Sequence, residues 1–286
     1  MKIVVLGAGG LLGRHLIEEL RRPSSREVGI EVRGLPRAEC NIADAIEVRA
    51  RTAGADVIVN CAAFTNVDGA EKDEDGAYRA NALGAENVAR AATAHRARLV
   101  HISTDFVFDG AQPEPYDEFA RPNPQSVYAR SKWAGEELAQ KRCAELFVVR
   151  VQGLYGDGGA NFSSKLRQLV LDGKTLKLDG ERRVQPTWAR SAARQIALLL
   201  ATDSYGLYHV SCKGETTWAG FTRRLAEKLA APTKWTVVRS DELLAPAQRP
   251  PNCVFQHRML ALHDLDCMPT WEEAQDEYLV EQGSTR

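Results

Sequence analysis

The sequence predicts an α/β protein: a doubly wound parallel sheet over residues 1–151 that binds a dinucleotide, with residues 152–286 as a smaller, interleaved lobe for a substrate. Three observations predict it. Short β-branched runs alternate with amphipathic segments through the first region. The chain opens on one such run, followed at once by the spaced glycines Gly7-x-x-Gly10-x-x-Gly13. Past Val151 the alternation loosens into shorter pieces, with neither an internal repeat nor a low-complexity tract.

Composition narrows the function. With 37 basic against 38 acidic residues in 286, the chain has no electrostatic footprint for nucleic acid or an anionic membrane, so a small molecule is the expected partner. Six scattered cysteines without a C-x-x-C pair argue against a zinc site or a disulfide framework and fit a reducing compartment. The first strand pattern begins at Lys2, and no apolar run approaches the roughly 20 residues of a membrane span, so a cytoplasmic location is expected.

Taken in order, Lys2–Leu6 (KIVVL) is a strand, and the segment through Leu20 is a helix. Between them Gly7 makes the tight turn, Gly10 lets a pyrophosphate approach the backbone, and Gly13 lets helix and strand pack closely. Gly29–Leu35 reads as the second strand, with Arg37 and no acidic residue at its carboxyl end, where a ribose-binding acid is expected for NAD. Ala43–Thr52 reads as a helix and Asp56–Asn60 as a buried strand that ends in small residues, Cys61-Ala62-Ala63. Asn66–Ala94 is mostly helical, and its acidic stretch (Glu71, Asp73, Glu74, Asp75) reads as a solvated helix start. Leu99–Ser103 is the fourth strand, so Thr104 leaves its end toward the crevice. A proline-rich loop (Pro113, Pro115, Pro122, Pro124) leads to the helix of Tyr128, and Leu146–Val151 is the next strand. Beyond lie a glycine-rich loop (153–161), helices at Phe162–Asp172, Ser191–Ala201 and Trp218–Ala230, strands at Leu176–Leu178 and Gly206–Val210, and a last helix from Trp271.

Val127–Glu136 (VYARSKWAGE) places Tyr128 and Lys132 at i and i+4, on one helical face. An ammonium one turn away is expected to favour the phenolate and so ease proton exchange near neutrality. The pair is a candidate general acid.

These motifs in order, with Asn60-Cys61-Ala62-Ala63, Asn81 and Ser103-Thr104-Asp105, resemble the extended short-chain dehydrogenase/reductases, which carry a Rossmann-like sheet. HISTDFVFDG, VYARSKWAGE, Asn161-Phe162, Gln185-Pro186-Thr187, GLYHVS with GETTWAGF, and Arg249-Pro250 with Asn252 resemble, within them, the dTDP-4-dehydrorhamnose reductase family. The resemblance implies a reductase of a nucleotide-linked 4-keto-6-deoxysugar. Tyr128 would donate the proton, Lys132 would bind the nicotinamide ribose and lower the Tyr128 pKa, and Thr104 would orient the carbonyl oxygen. Gly10, Leu11, Leu12, Ala62, Ala63 and Thr65 would line the dinucleotide, with Asn41 and Ile42 near its adenine. Asp105, Phe106, Gln185 and Arg249 would face the substrate. NADPH is the expected cofactor, on the strength of Arg37 with Arg33 nearby, and NADH is the alternative. The chain departs from the family where Gln152-Gly153-Leu154 replaces a tryptophan near the sugar, which is expected to make the pocket roomier. Phe106, Ser191 and Asn41 are further departures. No metal is expected, since His15 stands where a family interface metal would need a glutamate, and there is room for a homodimer. An epimerase on the same fold, or a non-catalytic dinucleotide-binding regulatory subunit, would share most of these features.

Overall fold

A computed structural model describes residues 1–22, 29–158, 162–231, 234–243 and 245–283, and for 162 and 163 the backbone alone. Asn161 and part of the glycine-rich loop lie outside the described residues. The strands are β1 (Lys2–Leu6), β2 (Glu31–Leu35), β3 (Val57–Asn60), β4 (Arg98–Thr104), β5 (Leu146–Val151), β6 (Leu154–Tyr155), β7 (Leu176–Asp179), β8 (Thr187–Trp188), β9 (Gly206–Val210) and β10 (Trp235–Val238). Six of them form one parallel sheet in the order β2-β1-β3-β4-β5-β9. Two parallel pairs, β7 with β10 and β6 with β8, complete the described strands.

The central strands β1, β3, β4 and β5 are buried on both faces, as their largely apolar runs require, whereas the edge strand β2 exposes Glu31 and Arg33. Ile3 and Val5 of β1 point into a core shared with Leu16, Tyr208 and Ile196, and Val4 and Leu6 point into a second one with Val88, Ala89 and Ala139. Helix α1 (Leu11–Leu20) covers the first face. On the second lie α2 (Ala45–Arg51), begun by Asp44, whose carboxylate accepts from the Ile46 and Glu47 amides, and, beyond the short helices α3 (Val67–Ala70) and α4 (Glu74–Tyr78), α5 (Gly84–His95) and α6 (Val127–Arg142).

The second strand begins at Glu31, because Gly29 sits at φ +71 in the preceding turn. Thr104 is the last residue of β4 and still extended, so its side chain is fixed by the sheet. Interleaving goes further than a lobe beside a sheet. β9 pairs with β5 as the sixth strand, and α8 (Ala189–Leu200), the helix after α7 (Phe162–Leu171), packs on α1 over the first core. The α9 (Trp218–Lys228), α10 (Arg258–Leu262) and α11 (Trp271–Glu281) helices finish the chain.

Candidate active site

The α6 helix starts where it does because Ser126 caps it, its Oγ accepting from the Ala129 amide at 3.2 Å, and because the prolines upstream cannot enter a helix interior. Glu71 adds to the cap, accepting from the Val127 amide at 2.8 Å. The acidic stretch is therefore more than a solvated helix start: one of its carboxylates holds the positive end of the helix that carries Tyr128 and Lys132. Deeper in, Gly135 lets α6 press on the chain of Asn81, since a Cβ there would lie 2.2 Å from the Asn81 carbonyl oxygen. Asn81 sits in a π turn, donates to Ser131 Oγ at 2.9 Å and accepts from the Phe64 amide at 2.8 Å. The helix is thus fixed to the segment that follows β3.

Thr104, Tyr128 and Lys132 meet at the carboxyl end of β4. Burial pushes the pKa of the Tyr128 phenol up to about 12, with the nearby Thr104 hydroxyl opposing and the Asp105 carboxylate adding to the rise. Lys132 is buried, donates to the Ile102 carbonyl at 2.6 Å, and is brought down to about 8 by burial, against the opposing pull of Glu136 and Cys61. The expected lowering of the Tyr128 pKa by Lys132 is absent, because the ammonium is directed into β4 and the phenol sits in low-dielectric surroundings. A phenol that keeps its proton at neutrality is the form a general acid needs.

The dinucleotide end fits its ligand's phosphates. Gly7 (φ +75) abuts the end of β3, where a Cβ would lie 2.6 Å from the Ala62 amide nitrogen, and a Cβ on Gly13 would lie 2.5 Å from the Gly7 carbonyl oxygen. Gly9 and Gly10 are exposed, and α1 begins with no side-chain cap and no acidic residue in its first turn. Its first amides are thereby left to an anion. Ala62 and Ala63 are half-buried and Thr65 exposed beside it. Leu11 is half-buried at the helix start, whereas the Leu12 and Ile42 side chains belong to the two cores, so those two residues present only backbone. Asn41 is exposed and its Oδ1 caps its own turn, accepting from the Ala43 amide. Arg37 is exposed at the end of β2. Arg33 instead donates to the Arg51 carbonyl at the end of α2, and the acidic Glu39, which the sequence reading passed over, stands exposed in the turn of Arg37.

A cleft of about 1270 Å³ opens beside these groups, lined by Thr65, Asp68, Phe106, Arg182, Trp218 and Arg249 among others. Phe106 joins it to the Thr104, Tyr128 and Lys132 group, packing edge-on to Tyr128 with ring centroids 6.0 Å apart. Arg249 reaches the cleft but is held by both oxygens of Asp68, at 2.8 and 3.0 Å. Gln185 does not reach it. That side chain is buried, accepting from Ser211 Oγ and the Phe255 amide and donating to the Phe255 carbonyl. Nor is there a gap at the missing tryptophan: Gln152 is buried there, bonded to Asp105, the Cys253 carbonyl and the Gln185 amide, while Leu154 packs on the core. Arg182 belongs to no motif of the sequence, and Gln152 stands out there only as the replacement of a tryptophan, with nothing to mark its bond to Asp105. Among the described residues no cluster of three or more His, Cys, Asp or Glu side chains could hold a metal, and no helix is long and apolar enough to cross a membrane.

A parallel doubly wound sheet whose strand ends bring a threonine, a Tyr-x-x-x-Lys helix and a glycine turn together defines an extended short-chain dehydrogenase/reductase. Comparison with known proteins then gives the family. The chain belongs to the RmlD substrate binding domain family, whose model matches residues 1–283. It is 35% identical over 286 residues to the spore coat polysaccharide biosynthesis protein SpsK of Bacillus subtilis (strain 168), covering 99% of this chain and 98% of that one. To the dTDP-4-dehydrorhamnose reductase of Mycobacterium tuberculosis (strain ATCC 25618 / H37Rv) it is 34% identical over 280 residues, with 96% and 90% covered. Among solved structures, dTDP-4-dehydrorhamnose reductase from Bacillus anthracis str. Ames in complex with NADP superimposes with a TM-score of 0.93 at 35% identity, over 98% of this chain and 99% of that one.

Proposed function

We propose that this chain reduces the keto group of a nucleotide-linked 4-keto-6-deoxysugar of the dTDP-4-dehydrorhamnose type, with NADPH as the preferred cofactor. The observation that carries the reading is that Tyr128 packs edge-on to Phe106, two residues past Thr104, beside a cleft of about 1270 Å³. Gly7, Gly10, Gly13 and the first amides of α1 would hold the dinucleotide phosphates, and Ala62, Ala63, Thr65 and Lys132 its nicotinamide half. Bound there, the cofactor supplies the hydride that the carbonyl carbon accepts. Thr104 and Tyr128 receive the carbonyl oxygen, where negative charge develops, and stabilise it by hydrogen bonding. Tyr128 passes its phenolic proton to that oxygen, so C=O becomes CH–OH, and the phenolate is reprotonated from water. Lys132, charged below its pKa of about 8, holds the ribose.

Relatives named dTDP-4-dehydrorhamnose reductase and dTDP-4-keto-6-deoxy-D-glucose reductase, the latter from Streptomyces niveus, support the substrate class. Six free cysteines support a reducing, cytoplasmic setting, and a homodimer belongs to the same proposal. The test is NADPH oxidation by the purified protein on freshly prepared dTDP-linked 4-keto-6-deoxysugars. Steady oxidation with one hydroxysugar formed per NADPH is expected. Epimerised product without NADPH oxidation would replace the reductase by an epimerase.

A further inference from the structure

Gln152 accepts a hydrogen bond from the Gln185 amide at 2.5 Å through Oε1. A backbone N–H can only donate, so this bond fixes the orientation of the Gln152 amide. Its Nε2 must then face the Asp105 carboxyl and the Cys253 carbonyl, and it donates to both, reaching Asp105 Oδ2 at 3.1 Å. Oδ2 is therefore engaged as an acceptor. The other oxygen, Oδ1, lies 3.0 Å from Thr104 Oγ1.

Thr104 has one proton and two lone pairs. One lone pair takes the Phe106 amide at 3.3 Å. With Asp105 ionised, the Thr104 proton must point at Oδ1, and no donor is left for a substrate oxygen. With Asp105 neutral and its proton on Oδ1, the direction reverses: Asp105 donates to the second lone pair of Thr104, and the Thr104 hydroxyl turns outward. We propose that Asp105 works as a neutral carboxylic acid, and that Gln152 is the positioning residue that keeps its proton on Oδ1, so that the Thr104 hydroxyl is free to donate to the carbonyl oxygen being reduced. No covalent bond changes at Asp105, and the transferred proton still comes from Tyr128.

The surroundings suit this. Burial pushes the Asp105 carboxyl up to about 7, against the Thr104 and Gln152 hydrogen bonds and the Arg182 guanidinium. The groups facing it are Tyr128 from α6, Arg182 from the turn after β7, and Cys253, whose thiol burial holds well above its usual range. Arg182 is the one cation among them, and its pull does not overcome the effect of burial.

The proposal rests on the reductase reading, so its test has an arm that needs no substrate. Infrared titration of the wild type against Asp105→Asn should show a protonated carboxyl at pH 6 that is absent from the variant and disappears in the wild type with a midpoint near 7. In turnover, the wild-type kcat should fall about tenfold per pH unit above that midpoint. In Asp105→Asn, whose amide can donate to Thr104 at every pH, this limb should vanish and leave only the one set by Lys132 near 8. Gln152→Met removes the donor from Oδ2, so the limb should move to higher pH while kcat falls, a change that a purely structural role would not produce. No protonated carboxyl at pH 6, or an unaltered limb in Asp105→Asn, overturns the proposal. A wild type that oxidises no NADPH overturns the reductase reading, and the infrared arm still decides the state of Asp105.

Discussion

The Lys132 ammonium donates to the Ile102 carbonyl at 2.6 Å, one residue before the Ser103-Thr104-Asp105 run, and not to the phenol of Tyr128 one turn away. Its charge is thus anchored to the strand that carries Thr104. Losing it should alter both the strand end and the ribose site, so Lys132→Met is expected to lower turnover and weaken dinucleotide binding together. Fluorescence titration with NADPH alongside steady-state rates checks this, and a loss confined to turnover would remove Lys132 from the ribose.

Tyr128→Phe keeps the ring and its edge-on packing with Phe106 while removing the hydroxyl proposed as proton donor. General acid catalysis contributes about 10²–10⁴-fold. Turnover should fall by that factor with dinucleotide affinity nearly unchanged, as single-turnover kinetics and a binding titration would show.

Cofactor choice should follow the turn after β2. Arg37 is exposed there, whereas Arg33 is engaged with the Arg51 carbonyl and does not substitute for it. A charge-assisted hydrogen bond contributes about 1.5–3 kcal/mol, so Arg37→Ala should cost about tenfold to a hundredfold in kcat/KM for NADPH and little for NADH. Glu39→Ala, which removes the acid in the same turn, should move the ratio the other way. A ratio that neither variant changes would place the 2′-phosphate elsewhere.

Stability should carry the signature of Asp105. Its folded pKa, about 7, lies above the unfolded value near 3.8, so the folded state binds more protons between those limits and stability falls as pH rises through them. Below about 4 the residue contributes no difference. Asp105→Asn should therefore be more stable than wild type at pH 8, by on the order of a few kcal/mol and with a correspondingly higher Tm, and equally stable at pH 4. Calorimetry at the two pH values decides it.

Arg150 and Glu136 form a buried ion pair at 2.7 Å, each side chain 3% exposed. Breaking one partner of such a pair costs about 3–5 kcal/mol, because the other charge stays buried alone. Arg150→Met should destabilise by that order in urea unfolding, and Glu136→Leu added to it should recover most of the loss.

Most of the sheet could be read from the chain because β1, β3 and β5 are short, largely apolar runs, and the Tyr128 and Lys132 pair because both residues lie on one helix. Placement of Gln152, Glu71 and Arg182 could not. Each acts on a partner 30 or more residues away, and the direction of a side chain at that range depends on how strands and helices pack, which no local spacing records. The same reason explains why Lys132 was expected against the phenol: i and i+4 share a face, but the face here looks onto β4. Gln185 stands in a recognisable motif yet serves the fold, since its amide is enclosed between Ser211 and Phe255.

That β9 enters the sheet beside β5 has a consequence for how the protein is assembled. A fragment ending at Val151 would carry β5, six buried residues, with one side of its backbone unpaired, and such an edge invites pairing with another chain. During synthesis residues 1–151 must therefore wait for residues 206–210 before β5 is covered. The two halves should melt as one cooperative unit, and expressing the first alone should give aggregates instead of a separate dinucleotide-binding module.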